Sequence, residues 1–298
     1  MLEVNNLTKT FKDTVAVDNI SFNVEPGKIF GLLGPNGAGK TTTIRMILNI
    51  IKPSIGTILF EGKPFTKEFF NIAGYLPEER GLYKKSRVLD TLLYFAGLKN
   101  MNKKSAITES VKWLGKLGIE NYKGKKIEEL SKGNQQKVQF IASVVHNPKL
   151  LIFDEPFGGF DPINQQIIKD ILLSFADSGK TIILSTHQMD TAEKLCSDIF
   201  LINKGKEVCS GSLSQIKKIF GANTIRIEFE GDSSYLNSNP SVAHIESYSN
   251  YAEVQLKDNT LPNDFLRTII NKININQFSI IEPTLNKIFI DAIKGNSN

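Results

Sequence analysis

The sequence predicts an α/β fold on a mixed, largely parallel sheet, with an antiparallel β portion ahead of it, an inserted helical portion and a small α+β unit at the end. Three observations predict it. Apolar and polar residues alternate over residues 1–27, a strand, a glycine-rich loop and a helix follow at 28–48, and apolar strands alternate with helices from 150 to 202.

Leu2, Val4 and Leu7, then Val15, Val17, Ile20, Phe22 and Val24, keep the period of two expected of antiparallel strands. Lys28–Leu33 reads as a buried strand and Thr42–Leu48 as a helix. Between them Gly34-Pro35-Asn36-Gly37-Ala38-Gly39-Lys40-Thr41 fits G-x-x-x-x-G-K-[ST] at every fixed position. Glycines let the backbone curl so that successive N–H groups face phosphate oxygens, and the positive end of the next helix adds to the attraction. Lys40 then reaches the β- and γ-phosphates and the Thr41 hydroxyl can ligate Mg²⁺. A glycine-rich turn that binds nothing does not require strand, loop, lysine, hydroxyl and helix in this order. The predicted nucleotide site therefore comprises Gly34, Pro35, Asn36, Gly37, Ala38, Gly39, Lys40, Thr41 and Thr42.

Short strands are predicted at Gly56–Gly62 and Ile72–Pro77. From Arg87 to His146 the apolar spacing becomes three and four, an inserted helical subdomain over about 85–147. Leu150–Phe153 reads as a buried strand ending in Asp154 and Glu155. A helix at Pro162–Phe175, a strand at Thr181–Leu184, a helix near Met189–Leu195 and a strand at Ile199–Ile202 complete a parallel sheet with crossover helices. Strand ends in such a sheet open onto the ligand crevice. Asp154 is thus placed to hold Mg²⁺ and Glu155 to polarise the water that attacks the γ-phosphate, whereas two acids alone would only cap the next helix. Gly211 is expected to close this part. A helical connector at Leu213–Phe220 leads to strands at Thr224–Phe229, His244–Ser247 and Tyr251–Leu256. A helix around Phe265–Asn271, a strand near Gln277–Ile281 and a helix at Thr284–Ile293 follow. The expected domains are 1–220 and 221–298.

With 298 residues, 41% hydrophobic, the chain can bury two cores. No apolar run approaches the ~18 residues of a membrane span, and the N-terminus lacks a secretory pattern, so a cytoplasmic protein is expected. Cys196 and Cys209 lack C-x-x-C spacing and are read as reduced and structural. The net charge of +5 is uneven: residues 80–149 carry fifteen Lys or Arg against five acids, a net of +10. Such a segment can face nucleic acid, an anionic membrane surface or water.

These pieces resemble the ATP-binding cassette (ABC) ATPases over roughly residues 1–220. Leu130-Ser131-Lys132-Gly133-Asn134-Gln135 stands where that family carries its signature, normally leucine, serine, two glycines and glutamine, leading into a helix. The resemblance implies the P-loop ABC ATPase fold and a head-to-tail dimer with two ATP between phosphate loops and opposed signatures, so that Ser131 and Gly133 contact the nucleotide of the other subunit. It further implies that Asp161 couples the two sites, that His187 contacts the γ-phosphate and that Phe11 stacks on adenine. As bare features, His187 caps a strand and Phe11 is core.

Three positions depart from the family pattern: Glu78 replaces the glutamine that ligates Mg²⁺, Lys132 the first signature glycine and Asn134 the signature glutamine. Gly74–Tyr83 and Leu130–Val138 look like those of bacterial sodium- or drug-efflux ATPases. The C-terminal segment Glu282–Phe289 is similar to theirs as well. The resemblance implies an ATP-hydrolysing exporter subunit, peripheral on the inner face of the cell membrane. Its partners would be a transmembrane permease on a separate chain and a second nucleotide-binding subunit, a homodimer in preference to a heterodimer, with no nucleic acid. The helical subdomain and the loop after Tyr75 are the expected docking face. The alternative is a non-transport or regulatory ABC ATPase acting as a slow switch; a single cassette without extended heptads speaks for transport.

Overall fold

A computed structural model describes residues 1–298 except 65, 67, 68, 80, 222, 223, 232, 233, 258, 259 and 296–298. Arg80, counted in the basic segment, therefore lies outside the described residues, as does Ser233 at the head of the Asn- and Ser-rich stretch. The chain forms two units, Met1–Ser212 and Leu213–Asn298. The division falls before residue 220, so the connector helix belongs with the second unit.

The first unit opens with strands β1 (Leu2–Phe11) and β2 (Thr14–Val24), followed by β3 (Ile29–Leu33), helix α1 (Lys40–Ile47), β4 (Ile55–Phe60), β5 (Lys63–Pro64), α2 (Phe69–Ile72) and β6 (Ala73–Leu76). Helices α3 (Val88–Leu98), α4 (Lys103–Lys116) and α5 (Lys132–Val144) form the helical insertion. Then come β7 (Leu150–Asp154), α6 (Pro162–Asp177), β8 (Thr181–Thr186), α7 (Met189–Leu195), β9 (Asp198–Asn203) and β10 (Lys206–Ser212).

Two sheets result. The outer one, in the order β2-β1-β4-β5, is antiparallel, as the period of two requires. The central one runs β10-β9-β3-β8-β7-β6, with only the β9–β10 pair antiparallel. Every residue of β3, β7 and β8 is buried, because both faces of the sheet are covered. The edge strand β10 is not foreseen in the sequence reading, which closed the domain at Gly211. Its residues, Lys206-Glu207-Val208-Cys209-Ser210-Gly211-Ser212, carry almost no apolar alternation, and the strand exists because Lys204 (φ 49°) and Gly205 (φ 79°) turn the chain back onto β9. The helical insertion is fastened to the sheet by aromatic packing: Phe140 stacks on Phe153 at 5.6 Å and meets Trp113 at 6.2 Å.

The second unit contains α8 (Leu213–Gly221), β11 (Thr224–Glu230), α9 (Ser234–Ser238), β12 (Val242–Ser247), β13 (Tyr251–Leu256), α10 (Pro262–Ile269), β14 (Asn274–Ile280) and α11 (Leu285–Gly295). Its antiparallel sheet has the order β12-β13-β11-β14, which makes β11 to β14 a split βαββαβ unit. Ile225, Ile227, Phe229, Ala252, Val254, Phe265 and Ile269 fill its core.

Candidate active site

The phosphate loop lies between the C-terminal end of β3 and the N-terminus of α1. Gly34 has φ 156°, and a Cβ there would fall 2.1 Å from the Ile202 carbonyl oxygen, so the loop can leave β3 beside β9 only with glycine at that position. Gly39, with φ 114°, caps α1 and leaves that helix's first N–H groups facing the loop. Lys40 is 6% exposed, and its Nζ donates to Gly34 O at 2.7 Å and Pro35 O at 3.1 Å, which bends the ammonium back over the loop. Burial lowers its pKa, while Glu155, Asp154 and Glu78 pull it upward.

Parallel register brings the second half of the site to the same end of the sheet, since β8 pairs with the loop strand β3 through Leu33↔Thr186 and β7 pairs with β8 through Asp154↔Ser185. Asp154 is 2% exposed; it accepts hydrogen bonds from Thr41 Oγ1 at 3.2 Å and from Ser185 Oγ at 2.7 Å. Burial raises its pKa, and those two hydroxyls oppose the rise. Glu155 adopts φ 49°, a left-handed conformation that costs energy in any residue with a Cβ, and this backward turn brings its carboxylate to the cleft. Its Oε2 accepts from Thr186 Oγ1 at 2.9 Å. Its Oε1 accepts from the His187 backbone N–H at 2.8 Å and lies 2.6 Å from His187 Nδ1. A carboxylate oxygen at that distance accepts from an imidazole Nδ1–H, which orients the ring.

A cavity of about 610 Å³ opens over this array. Its lining includes Asn36, Gly37, Gly39, Lys40, Thr41, Thr42, Glu78, Asp154 and Glu155, so most of the sequence-predicted loop and carboxylate residues converge. Gly34, Pro35 and Ala38 shape the loop from behind: Ala38 N–H donates to Pro35 O at 3.2 Å, and Ala38 O accepts from Gly205 N at 2.8 Å. Thr14, Val15, Ala16, Lys204 and Gly205 also line the cavity and were not predicted. Lys204 and Gly205 reach it through the positive-φ turn that joins β9 to β10, and Thr14, Val15 and Ala16 through the start of β2.

The oxygen set of Thr41, Asp154 and Glu78 suits a hard cation. Magnesium is held by one or two carboxylates plus substrate phosphates rather than by a full protein cage, and the buried Asp154 carboxylate beside a Thr hydroxyl fits that pattern. Among the described residues no cluster of three or more His, Cys, Asp or Glu forms a self-sufficient metal site.

Other predicted residues stand apart from the cavity. Phe11, at the end of β1, is 47% exposed with Lys9 Nζ 5.0 Å from its ring, so it is not a core residue, nor does it line the cavity. Ser131 caps α5, its Oγ accepting from Asn134 N at 3.3 Å; Asp161 caps α6, accepting from Asn164 N at 2.9 Å and Asn164 Nδ2 at 2.6 Å. The Asn164 N–H holds the Asp161 carboxyl below its ordinary pKa. Gly133 approaches the Gly159 carbonyl, so the α5 N-terminus and the loop before α6 adjoin each other. Ser131, Gly133 and Asp161 are absent from the lining of the cavity that holds Lys40.

Residues 17–158 match the ABC transporter family, and residues 211–293 match the ATP-binding protein DrrA1-3-like C-terminal domain. The uncharacterized ABC transporter ATP-binding protein YhaQ of Bacillus subtilis is 42% identical over 98% of this chain and 98% of its own length. The Nod factor export ATP-binding protein I of Cupriavidus metallidurans is 34% identical, covering 71% of each chain. A solved ATP-binding subunit of an ABC transporter superposes with a TM-score of 0.70 at 28% identity, over 74% of this chain and 93% of that one.

Proposed function

Since the chain belongs to the ABC transporter ATP-binding proteins, and is an ATPase by that membership, we propose that it is the ATP-hydrolysing subunit of an exporter. In this reading it closes head to tail on a second nucleotide-binding subunit around two ATP and drives a permease carried on another chain. One observation carries the proposal: Lys40, Thr41, Asp154 and Glu155 gather at one cavity, while Ser131, Gly133 and Asp161 lie away from it. A site missing its signature half is completed when a second subunit supplies that half.

Lys40 and the α1 N-terminus would bind the phosphates, and Thr41, Asp154 and Glu78 would hold Mg²⁺. The cation, when bound, neutralises charge on the β- and γ-phosphates. Glu155, fixed by Thr186 and His187, orients a water and takes its proton as the water oxygen attacks the γ-phosphorus; the bond to the bridging oxygen breaks and ADP leaves with the electron pair. His187 then faces the γ-phosphate. Phe11, exposed at the end of β1, is the ring assigned to stack on adenine.

Export rather than import draws support from the similarity to a protein named for Nod factor export and from the DrrA1-3-like C-terminal domain. No helix among the described residues is long and apolar enough to cross a membrane, so the proposed location is peripheral, on the inner face, through the permease. The docking face is the helical insertion with the loop after Tyr75. A cavity of about 350 Å³ lies there among Tyr75, Pro77, Leu82, Phe95 and Leu98, beside the exposed rings of Tyr83 and Tyr94.

The test is the oligomeric mass of the Glu155→Gln protein with and without Mg·ATP. An ATP-dependent shift from monomer to dimer is expected. A monomer under both conditions would remove the sandwich and the trans role of Ser131.

A further inference from the structure

Helix α5 carries three glutamines whose side chains each clamp a different loop. Gln135 Nε2 donates to Ile127 O at 3.1 Å and Leu130 O at 3.0 Å, which sets the strand-like entry to Ser131. Gln136 Nε2 donates to Pro156 O at 3.4 Å, the residue after Glu155. Gln139 Nε2 donates to Pro77 O at 3.3 Å and to Glu79 O at 2.9 Å. Those two carbonyls flank Glu78.

Gln139 is only 7% exposed, so a buried amide spends both of its N–H groups on the main chain of one short loop. The Pro77 carbonyl lies in the peptide plane that enters Glu78 and the Glu79 carbonyl in the plane that leaves Glu79, so the two bonds pin the Glu78–Glu79 pair at both ends and narrow the directions in which the Glu78 side chain can leave the backbone. The residue so fixed is Glu78, whose side chain is exposed and which lines the cavity with Lys40, Thr41 and Asp154. Among the described residues no other hydrogen bond of Pro77, Glu78 or Glu79 ties this loop to α5. Ser131, which caps the same helix, lies about two helical turns before Gln139. The clamp thus makes the Glu78 loop and the Ser131 cap move with one rigid element.

We infer that Gln139 is a positioning residue for the reaction: it holds Glu78 toward the nucleotide cavity and couples that carboxylate to the signature helix. The inference rests on the reading of Glu78 as a Mg²⁺ residue given above. It assigns a role to a glutamine that no motif marks. Gln139 also lines the cavity of the proposed permease face, together with Tyr75, Pro77 and Leu98, so displacement of that face reaches the metal-side loop through one side chain.

The experiment uses the full chain with Gln139→Leu and, as a second variant of matched length, Gln139→Met, alongside Glu78→Ala and the Gln139→Leu/Glu78→Ala double variant. Amide exchange at Glu78 and Glu79 is measured without nucleotide, and the Mg²⁺ concentration for half-maximal binding of a fluorescent ATP analogue is measured for each. Loss of the two donated bonds should speed exchange roughly threefold to tenfold and raise the Mg²⁺ requirement by a similar factor. The double variant should need no more Mg²⁺ than Glu78→Ala alone, because a residue acting through Glu78 has nothing left to position. Unchanged exchange in both single Gln139 variants, or additive Mg²⁺ effects in the double variant, overturns the inference. If Glu78→Ala shifts the Mg²⁺ requirement and the Gln139 variants do not, the clamp alone fails. If Glu78→Ala shifts nothing, the metal role of Glu78 fails and the clamp's purpose with it.

Discussion

The two halves of the first unit are held together by different means. At the phosphate loop, polar groups converge on two adjacent carboxylates: Thr41 of α1 and Ser185 of β8 on Asp154, Thr186 of β8 and His187 just beyond it on Glu155. In the helical insertion, long side chains reach instead for main-chain carbonyls at the sheet edge. Lys99 donates to Ala73 O at 3.0 Å and to Phe70 O, His146 Nε2 lies 3.1 Å from Ala73 O, and Gln139 takes the carbonyls around Glu78. The first arrangement cannot shift without breaking sheet pairing. The second adds single side-chain bonds to the Phe140–Phe153 stack, and each of them can be lost without breaking strand pairing.

The largest expected effect tests the rigid half. Glu155→Gln should leave ATP binding intact and slow turnover by about 10²–10⁴-fold, the range for loss of a positioned general base. Undiminished turnover measured by phosphate release would show that the prearranged carboxylate is not the base.

The next concerns the hinge-like half. Burial lowers the His146 pKa to about 4, with the Lys99 and Lys180 cations adding to the fall and the bond to Ala73 O opposing it. Its Nδ1 is buried without a partner among the described residues, so the fold holds the neutral ring. The unfolded chain takes up a proton below about 6.5 that the folded one refuses, so stability is lost as pH falls from about 6.5 to about 4 and then levels off. The drop is on the order of 3 kcal/mol. His146→Gln should flatten that part of the pH profile of urea midpoints; an identical profile would mean the slope comes from elsewhere.

Ser131→Ala removes the α5 cap, at about 1 kcal/mol of stability. If Ser131 also meets a nucleotide across the dimer, ATP-dependent dimerisation of the Glu155→Gln protein weakens by more than the cap's loss explains. If melting temperature and dimerisation fall together in a noncapping control, the hydroxyl serves the helix only. The smallest effect is expected at the rim, where reversing Lys84, Lys85 and Arg87 to Glu should weaken recruitment to membranes bearing the permease and leave ATP binding unchanged. Equal recruitment in a flotation assay would move the docking face elsewhere.

Legibility in the sequence follows the same division. The phosphate loop, the strand ending in Asp154 and Glu155, and helix α7 at Met189–Leu195 stand in the structure where spacing alone put them, because each rests on a short-range rule. β10 was invisible, since an edge strand buries one face at most and its partner sets its register. Thr14, Val15 and Ala16 join the cavity through β1–β2 pairing and the Gly205 turn, which no local pattern encodes. Gln135, Gln136 and Gln139 read in sequence as an ordinary polar stretch of helix, and only folding shows that they hold three separate loops.

By itself, then, the sequence determined what depends on neighbours along the chain: strand and helix periodicity, the glycine geometry of the loop, and the residue types able to bind phosphate and Mg²⁺. The tertiary structure decided what depends on neighbours in space. Parallel register brought Thr41 to Asp154, 113 residues apart, and Thr186 to Glu155. The same register buried Asp154 enough to raise its pKa, while Ser131 and Gly133 stay out of the lining of the cavity that holds Lys40. Distances of a few ångströms fix such contacts, and sequence separation carries no record of them until the sheet has closed.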